Sequence, residues 1–160
     1  MAFLTSFIES IKLPKKKSVF KLNRISMDIV VVYMFILLAL VSLPSLFYQM
    51  SNSSELSVKI GSFFYLIYFF IFHYFVIVVL VFIVISIIAY LASLFTKFSG
   101  RRLHYSILWK MTAFSTTLPF LVYTILAFFY NISDNFLWLS FLYTAFLLYK
   151  IITIYPKRKH

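Results

Sequence analysis

The sequence predicts an all-α polytopic membrane protein with four transmembrane helices and an N-terminal amphipathic interfacial helix. The first observation is composition: 63% of the 160 residues are hydrophobic and only 12% are charged, whereas a soluble domain has about 45–50% apolar and 25% charged residues. The second is four long apolar stretches, and the third is the clustering of lysine and arginine between them. This composition excludes a water-soluble monomer and a disordered chain. We divide the chain into a cytoplasmic interfacial helix with a basic segment (1–27), a transmembrane domain (28–154) and a basic cytoplasmic tail (155–160).

The four apolar stretches cover residues 28–48, 63–95, 105–130 and 136–154. Crossing a bilayer takes about 20 helical residues, and in lipid the backbone groups of each segment must pair internally, which favours helices. The second stretch would extend roughly 50 Å as a helix, too long for one crossing and too short for two with a turn. We predict one long helix that is tilted or projects beyond the membrane; the alternative is two short re-entrant halves.

The basic residues predict the orientation of the spans. Every lysine and arginine except Lys59 lies before the first span, between or near the facing ends of the second and third, or at the end of the fourth. The positive-inside rule makes that side cytoplasmic, with both ends of this chain inside the cell.

Residues 3–12 predict the interfacial helix. Phe3, Leu4, Phe7, Ile8 and Ile11 recur at helical spacing, opposite a polar face that carries Ser6, Glu9, Ser10 and Lys12. Such a helix lies along a membrane surface, and Pro14 ends it. Lysines and arginines at this side attract anionic lipid headgroups; the predicted contacts are Lys15, Lys16, Lys17, Arg101 and Arg102. The alternative is a plain tail whose charges only set topology.

His73 is the main candidate for an intramembrane polar site. It lies in the outer part of the second span, in FFIFHYFVIV, and a polar side chain in hydrocarbon is costly enough to suggest a function. The structural alternative is a hydrogen bond to a neighbouring helix or a position near the outer interface. The other two histidines, His104 and His160, are predicted to be cytoplasmic, so no metal site is expected.

Small and hydroxyl residues predict two helix-packing or partner-binding faces, because such residues let helices approach closely and form interhelical hydrogen bonds. The predicted faces consist of Ser86, Ala89 and Ser93 on the second span and Ser106, Ala113, Thr117 and Thr124 on the third.

A proline kink is predicted in the third span. Pro119 frees the carbonyl near Ser115 and bends the helix, and the hydroxyls of Ser115, Thr116 and Thr117 can satisfy the released groups. We favour a packed kink over one that lines a substrate path. Pro44 is a second kink candidate. Lys110 and Lys150 are expected to extend to the cytoplasmic interface, with Asp28 as an ion-pair candidate for one of them.

The sequence contains no pattern that indicates catalysis or cofactor binding. It has no cysteine and only two glycines, so thiol chemistry, cysteine metal sites and phosphate-binding glycine loops are not expected. No acidic pair, HExxH or GxSxG is present. The basic residues flank the spans and form no nucleic-acid-binding face. We therefore expect no enzyme activity, no cofactor and no nucleic-acid partner.

Three stretches resemble a bacterial membrane family of unknown function, number 1189. They are FLTSFIESIKLPKKKSVFKLNR near the start, YSILWKMTAFSTTLPFLVYTIL in the third span and YPKRKH at the end. Some members carry the name maltodextrin-utilisation membrane protein. The resemblance implies the cytoplasmic membrane of a Gram-positive bacterium and supplies no catalytic residues. Typical members have a much larger extracytoplasmic region after the first span, which this sequence lacks.

The expected function is that of a non-enzymatic accessory subunit that binds another integral membrane protein, or a second copy of itself, through its transmembrane surface. One alternative is a small transporter, or a transporter subunit for a lipid or small solute, whose path passes His73 and the Ser115–Pro119 kink. Another is an immunity or stress-protection membrane protein.

Overall fold

The computed structural model describes residues 2–52, 62–101, 103–129 and 135–156, and these form helices and turns without a β-strand. The all-α prediction is confirmed for this part of the chain. The predicted lipid contact Arg102, the outer loop residues 53–61 and 131–134, and the tail from 157 onward lie outside the described residues.

The chain begins with two short helices, α1 (Ala2–Ile11) and α2 (Lys16–Asn23), followed by the long helix α3 (Met27–Asn52). Next come α4 (Ser62–Phe69), a π-helical turn (Phe70–Tyr74) and α5 (Phe75–Phe98). The remaining helices are α6 (Tyr105–Ser115), α7 (Thr117–Phe129) and α8 (Asn135–Ile154).

Three helical segments are long and apolar enough to cross a membrane: Met27–Met50, Phe63–Phe98 and Tyr105–Phe129. They correspond to the first three predicted spans. The apolar part of α8, Leu139–Ile154, is shorter. The second span is one continuous helix, as predicted, and the re-entrant alternative is wrong. Its internal π turn was not predicted: the Phe75 N–H bonds to the Phe70 carbonyl five residues earlier.

Helix α6 occupies the centre of the bundle. It packs against α1, α2, α3, α5, α7 and α8, and every residue from 108 to 117 is buried. A helix buried on all sides has no single apolar stripe, which explains why polar and apolar residues alternate around α6. The core cluster joins Met111 and Phe114 of α6 to Met34 of α3, Ile85 of α5 and Ile151 of α8.

The contact between α5 and α6 involves small residues. Helix α5 packs along α6, and Ala89 and Ala113 are both fully buried. A larger side chain at either position would force the two helices apart, because protein interiors leave little free volume.

We expect Ala89→Leu to destabilise the protein by about 1–3 kcal/mol, the usual cost of overpacking a core. Ala145→Leu is the matched control, since Ala145 is exposed on α8. Thermal unfolding of the detergent-solubilised protein should show a lower midpoint for the first variant and little change for the second. Equal midpoints for the two variants would contradict the close α5–α6 contact.

Candidate functional site

Hydrogen-bonded polar side chains on and around α6 form what we call the seam. Four predicted site residues belong to it, namely Ser86, Ser115, Thr116 and Thr117, together with Tyr33, Trp109 and Lys110. On the α5 side, Ser86 Oγ accepts a hydrogen bond from Trp109 Nε1 at 3.1 Å and donates one to the Phe82 carbonyl at 2.8 Å. The Tyr105 hydroxyl lies 3.4 Å from the Ser86 carbonyl. Ala89 is fully buried and Ser93 is half-buried. Ser86 and Ala89 are therefore used for packing within this chain rather than left free for a partner.

The predicted face of the third span is divided in the same way. Ala113, Thr117 and Thr124 are buried, whereas Ser106 is exposed. Thr117 Oγ1 lies 2.9 Å from the Tyr33 hydroxyl of α3, and Thr124 Oγ1 donates to the Phe120 carbonyl at 2.8 Å. The Tyr33–Thr117 contact joins the first and third spans and was not predicted.

The predicted kink is a break between α6 and α7 at Thr116. Pro119 is buried three residues later and removes the N–H that would bond to Ser115. Ser115 Oγ donates to the Met111 carbonyl at 2.8 Å, and Thr116 Oγ1 donates to the Ala113 carbonyl at 2.7 Å. These hydroxyls thus bond to the preceding turn of α6.

Helix α1 turns its polar face toward the protein. Ser6, Glu9 and Ser10 are buried, whereas Leu4 and Ile8 are exposed, and α1 packs against α2, α3, α6 and α7. The sequence predicted a helix whose polar side meets water. In the structure that side is covered by the bundle, because Glu9 and its neighbours find hydrogen-bond partners there.

Glu9 joins α1 to α2. Its Oε1 accepts a hydrogen bond from Lys21 Nζ at 2.8 Å, and its Oε2 accepts one from the Ser18 hydroxyl at 2.6 Å. These bonds, Lys21 first, lower the pKa of Glu9 from 4.5 to about 2, because they favour the ionised carboxylate.

Lys110 bonds to backbone carbonyls of another segment, a contact that the sequence did not predict. The side chain is only 9% exposed, and Nζ donates to the carbonyls of Asn23 at 2.7 Å and Ile25 at 3.0 Å. These carbonyls lie at the end of α2, where a helix leaves acceptors unpaired and a cation is favoured. Asp28 is exposed and forms no ion pair with Lys110 or Lys150. The Lys150 ammonium instead lies 4.7 Å from the centre of the Phe146 ring.

Arg101 caps the end of α8. Gly100 has a φ of +66°, a left-handed conformation that suits glycine, and the Arg101 N–H bonds to the Thr96 carbonyl while the Gly100 N–H bonds to that of Lys97. This is a Schellman ending for α5. It directs Arg101 to the carbonyls of Ile152 and Tyr155, to which Nη1 donates. Arg101, predicted to contact lipid, is thus engaged inside the chain.

The remaining predicted lipid contacts, Lys15, Lys16 and Lys17, are exposed. The Lys110 and Arg101 contacts place the end of α2, the α5–α6 turn and the end of α8 at one end of the bundle.

His73 lies in the π-helical turn, a structure that is rare and is often found at functional sites. Its ring stacks against Phe69 with centroids 4.8 Å apart, and its buried Nε2 has no hydrogen-bond partner among the described residues. The π turn packs against α3, and the Tyr74 hydroxyl donates to the Phe35 carbonyl at 2.8 Å. The structure does not bring His73 together with the Thr116 break.

Sequence reasoning missed two members of the seam, Tyr33 and Trp109, and it missed the Glu9 network between α1 and α2. Their partners are distant in sequence, so no local spacing indicated them. Among the described residues, no three His, Cys, Asp or Glu side chains lie close enough to hold a metal ion.

The family model described as "Protein of unknown function (DUF1189)" matches residues 54–152, which include α4 to most of α8. The chain belongs to this family. The DUF1189 match therefore includes the central helix α6, the π turn and the break at Thr116, whereas α1, α2 and α3 lie outside it. No curated protein and no solved structure matches the chain.

We expect Lys110→Met to destabilise the protein by about 1–3 kcal/mol, because it leaves two carbonyls without their charged donor. Lys150→Met is the matched control, since it removes the same charge from an exposed position. The free energy of unfolding in detergent should fall for Lys110→Met alone. An equal loss in both variants would attribute the effect to net charge.

Glu9 should make stability depend on pH. Because its pKa is lower in the folded than in the unfolded protein, its stabilisation is complete above about pH 4.5 and is lost as the pH falls toward 2. The unfolding midpoint should drop over this range for the native protein and for Asp28→Asn, an exposed control, but less for Glu9→Gln. If the Glu9→Gln variant lost stability toward pH 2 as steeply as the native protein, the assignment to Glu9 would be wrong.

Proposed function

We propose that this chain is a non-enzymatic accessory subunit of the bacterial cell membrane that binds another integral membrane protein. In this proposal four helices cross the bilayer and both ends of the chain face the cytoplasm. The contacts of Arg101 and Lys110 support that topology, because they join three of the basic segments at one end of the bundle.

Helix α8 would provide the fourth crossing. Its 20 residues extend about 30 Å, the thickness of the hydrocarbon layer. Helix α1 would lie at the cytoplasmic surface with its exposed apolar residues in lipid, while Lys15, Lys16 and Lys17 meet anionic headgroups.

The observation that carries the proposal is the surplus length and exposure of the second span. Phe63–Phe98 has 36 residues, about 54 Å of helix, whereas the hydrocarbon layer is about 30 Å thick and helices tilt by about 20° on average. Only 28% of the apolar 18-residue stretch in this helix is buried inside the protein, against 44% of the corresponding stretch in each of the other two candidate spans.

The surplus falls on α4 and the π turn, because the other end of the helix lies at the basic end of the bundle. This segment exposes an aromatic surface formed by Phe63, Phe64, Tyr68 and Phe72. Aromatic surface beyond the hydrocarbon layer would contact water unless another molecule covers it, and contiguous exposed apolar patches typically mark protein interfaces. We assign the partner contact to this aromatic surface.

The absence of enzyme activity belongs to the same proposal. Ser86, Lys110, Ser115 and Thr117 each have a partner within the chain, and none is paired with a base or an acid that would activate it. Within the described residues, what is left for function is surface.

A family role is also part of the proposal. We infer a short member of the family, from a Gram-positive bacterium and related to those named for maltodextrin utilisation, with little of the extracytoplasmic region between the first two spans. A partner would then contact the membrane helices rather than an outer domain.

A transporter, or a subunit that handles a lipid or small solute, is the second candidate. It is favoured by the π turn at His73 and the unpartnered Nε2. Lost solute uptake in His73→Ala with full recovery of a membrane partner would favour this candidate. An immunity or stress-protection role stays a third hypothesis, which a neighbouring peptide-toxin gene would favour.

Native pull-down with mass spectrometry tests the accessory role. We expect the tagged chain to recover a specific membrane protein, and Phe64→Ala to reduce that recovery several-fold. Phe64 is 63% exposed, so the substitution should leave folding intact. The matched control Phe146→Ala, at a 54% exposed position on α8, should recover the partner like the native chain.

Equal losses in the two variants would show that the aromatic surface is not the contact. If crosslinking in native membranes recovered only further copies of this chain, the partner would be a second copy of the chain and not another membrane protein. A purely monomeric protein without any crosslinked partner would overturn the proposal.

A further inference from the structure

A groove lies at the basic end of the bundle, where α1, α2 and the start of α3 meet. Its volume is about 460 Å³, and we call it the basal groove. Its lining includes the charged residues Glu9, Lys21 and Arg24 and the apolar residues Leu22, Ile25 and Ile29. A ligand that fills it must therefore combine a polar, charged part with an apolar part.

The charged residues that line the basal groove have a net positive charge, because Lys21 and Arg24 outnumber Glu9. Both Glu9 oxygens accept hydrogen bonds, from Lys21 and Ser18, so the carboxylate is neutralised within the protein. The Lys21 side chain is 49% exposed, and an ammonium has three donors, of which Glu9 uses one. Arg24 is exposed, and in the described part of the chain no carboxylate pairs with it. Lys21 and Arg24 therefore have further N–H donors with which to bind an anion in the groove.

The position of the groove selects an amphiphilic anion. Helix α3 becomes a candidate span at Met27, so Arg24 precedes the apolar segment and Ile29 lies within it. In the proposed topology this is the level at which lipid headgroups give way to acyl chains.

We propose that the basal groove binds an anionic phospholipid. Arg24 and Lys21 donate hydrogen bonds to the headgroup phosphate, and Ile25 and Ile29 contact the first part of an acyl chain. Arginine suits this role because its planar guanidinium binds phosphate oxygens in pairs. The site rests on the proposed membrane topology and differs from the diffuse attraction of Lys15, Lys16 and Lys17. A free phosphate ion would bind only the charged lining residues and would leave the apolar ones uncovered.

The test uses the full chain purified in a neutral detergent, with bound lipid counted by native mass spectrometry. Phosphatidylglycerol is compared with phosphatidylcholine for the native protein, Arg24→Gln and Lys97→Gln. Lys97 is an exposed residue at the end of α5 outside the groove, so its variant loses the same charge at the basic end of the bundle. We expect Arg24→Gln to weaken phosphatidylglycerol binding about tenfold, the effect of one charge-assisted hydrogen bond. Lys97→Gln should bind like the native chain.

Three results would overturn the site. Equal weakening in both variants would show diffuse attraction, and equal binding of the two lipids would show no preference for an anion. Displacement of phosphatidylglycerol by millimolar inorganic phosphate would show that a free anion is the ligand. Circular dichroism and unfolding midpoints check that the variants fold. Failure here with full partner recovery in the pull-down would refute the lipid site alone, and the reverse outcome would refute the accessory role alone.

Discussion

The burial of α6 on all sides is the constraint on which the rest of the bundle depends. Helix α6 touches every other helix except α4, so its side chains must satisfy neighbours in all directions. Four of its buried residues are polar, namely Lys110, Thr112, Ser115 and, at its end, Thr116, and each has a hydrogen-bond acceptor. An unpaired polar group in this position would cost several kcal/mol by order of magnitude. The three hydroxyls bond to carbonyls of α6 itself, whereas Lys110 bonds to the end of α2 and so fixes that helix beside α6.

Charged side chains join the helix ends at one end of the bundle. Lys110 binds the end of α2, Arg101 binds the end of α8, and the Gly100 turn sets the direction of Arg101. Helix ends expose unpaired carbonyls with partial negative charge, so cations stabilise them. This end is consequently held together by distant parts of the sequence. At the other end, the π turn packs against α3, and the Tyr65 hydroxyl of α4 donates to Gln49 Oε1 at 3.2 Å. Charged side chains therefore join the helices at the basic end, whereas the aromatic surface at the other end is exposed.

This division bears on function. The hydroxyl and small residues that suggest chemistry or partner binding in the sequence are mostly consumed in holding α6 to its neighbours, and the surfaces left over are the aromatic surface and the basal groove. The first presents rings to the surroundings, and the second combines two cations with isoleucines. The proposed partner contact and the proposed lipid site rest on these two surfaces.

The sequence by itself determined the helical class, the first three candidate spans, the single long second helix and the break before Pro119. Each depends on composition, apolar run length or proline, which act within one segment. Lys59 and the outer loops carry predictions about residues that the structure does not describe. The tertiary structure decided the inward polar face of α1, the Glu9–Lys21 and Tyr33–Thr117 contacts, and the bonds of Lys110 and Arg101. The π turn at His73 has no local signature in the sequence. Such features depend on which distant group meets a side chain, because a buried polar group is stable only where a hydrogen-bond partner reaches it.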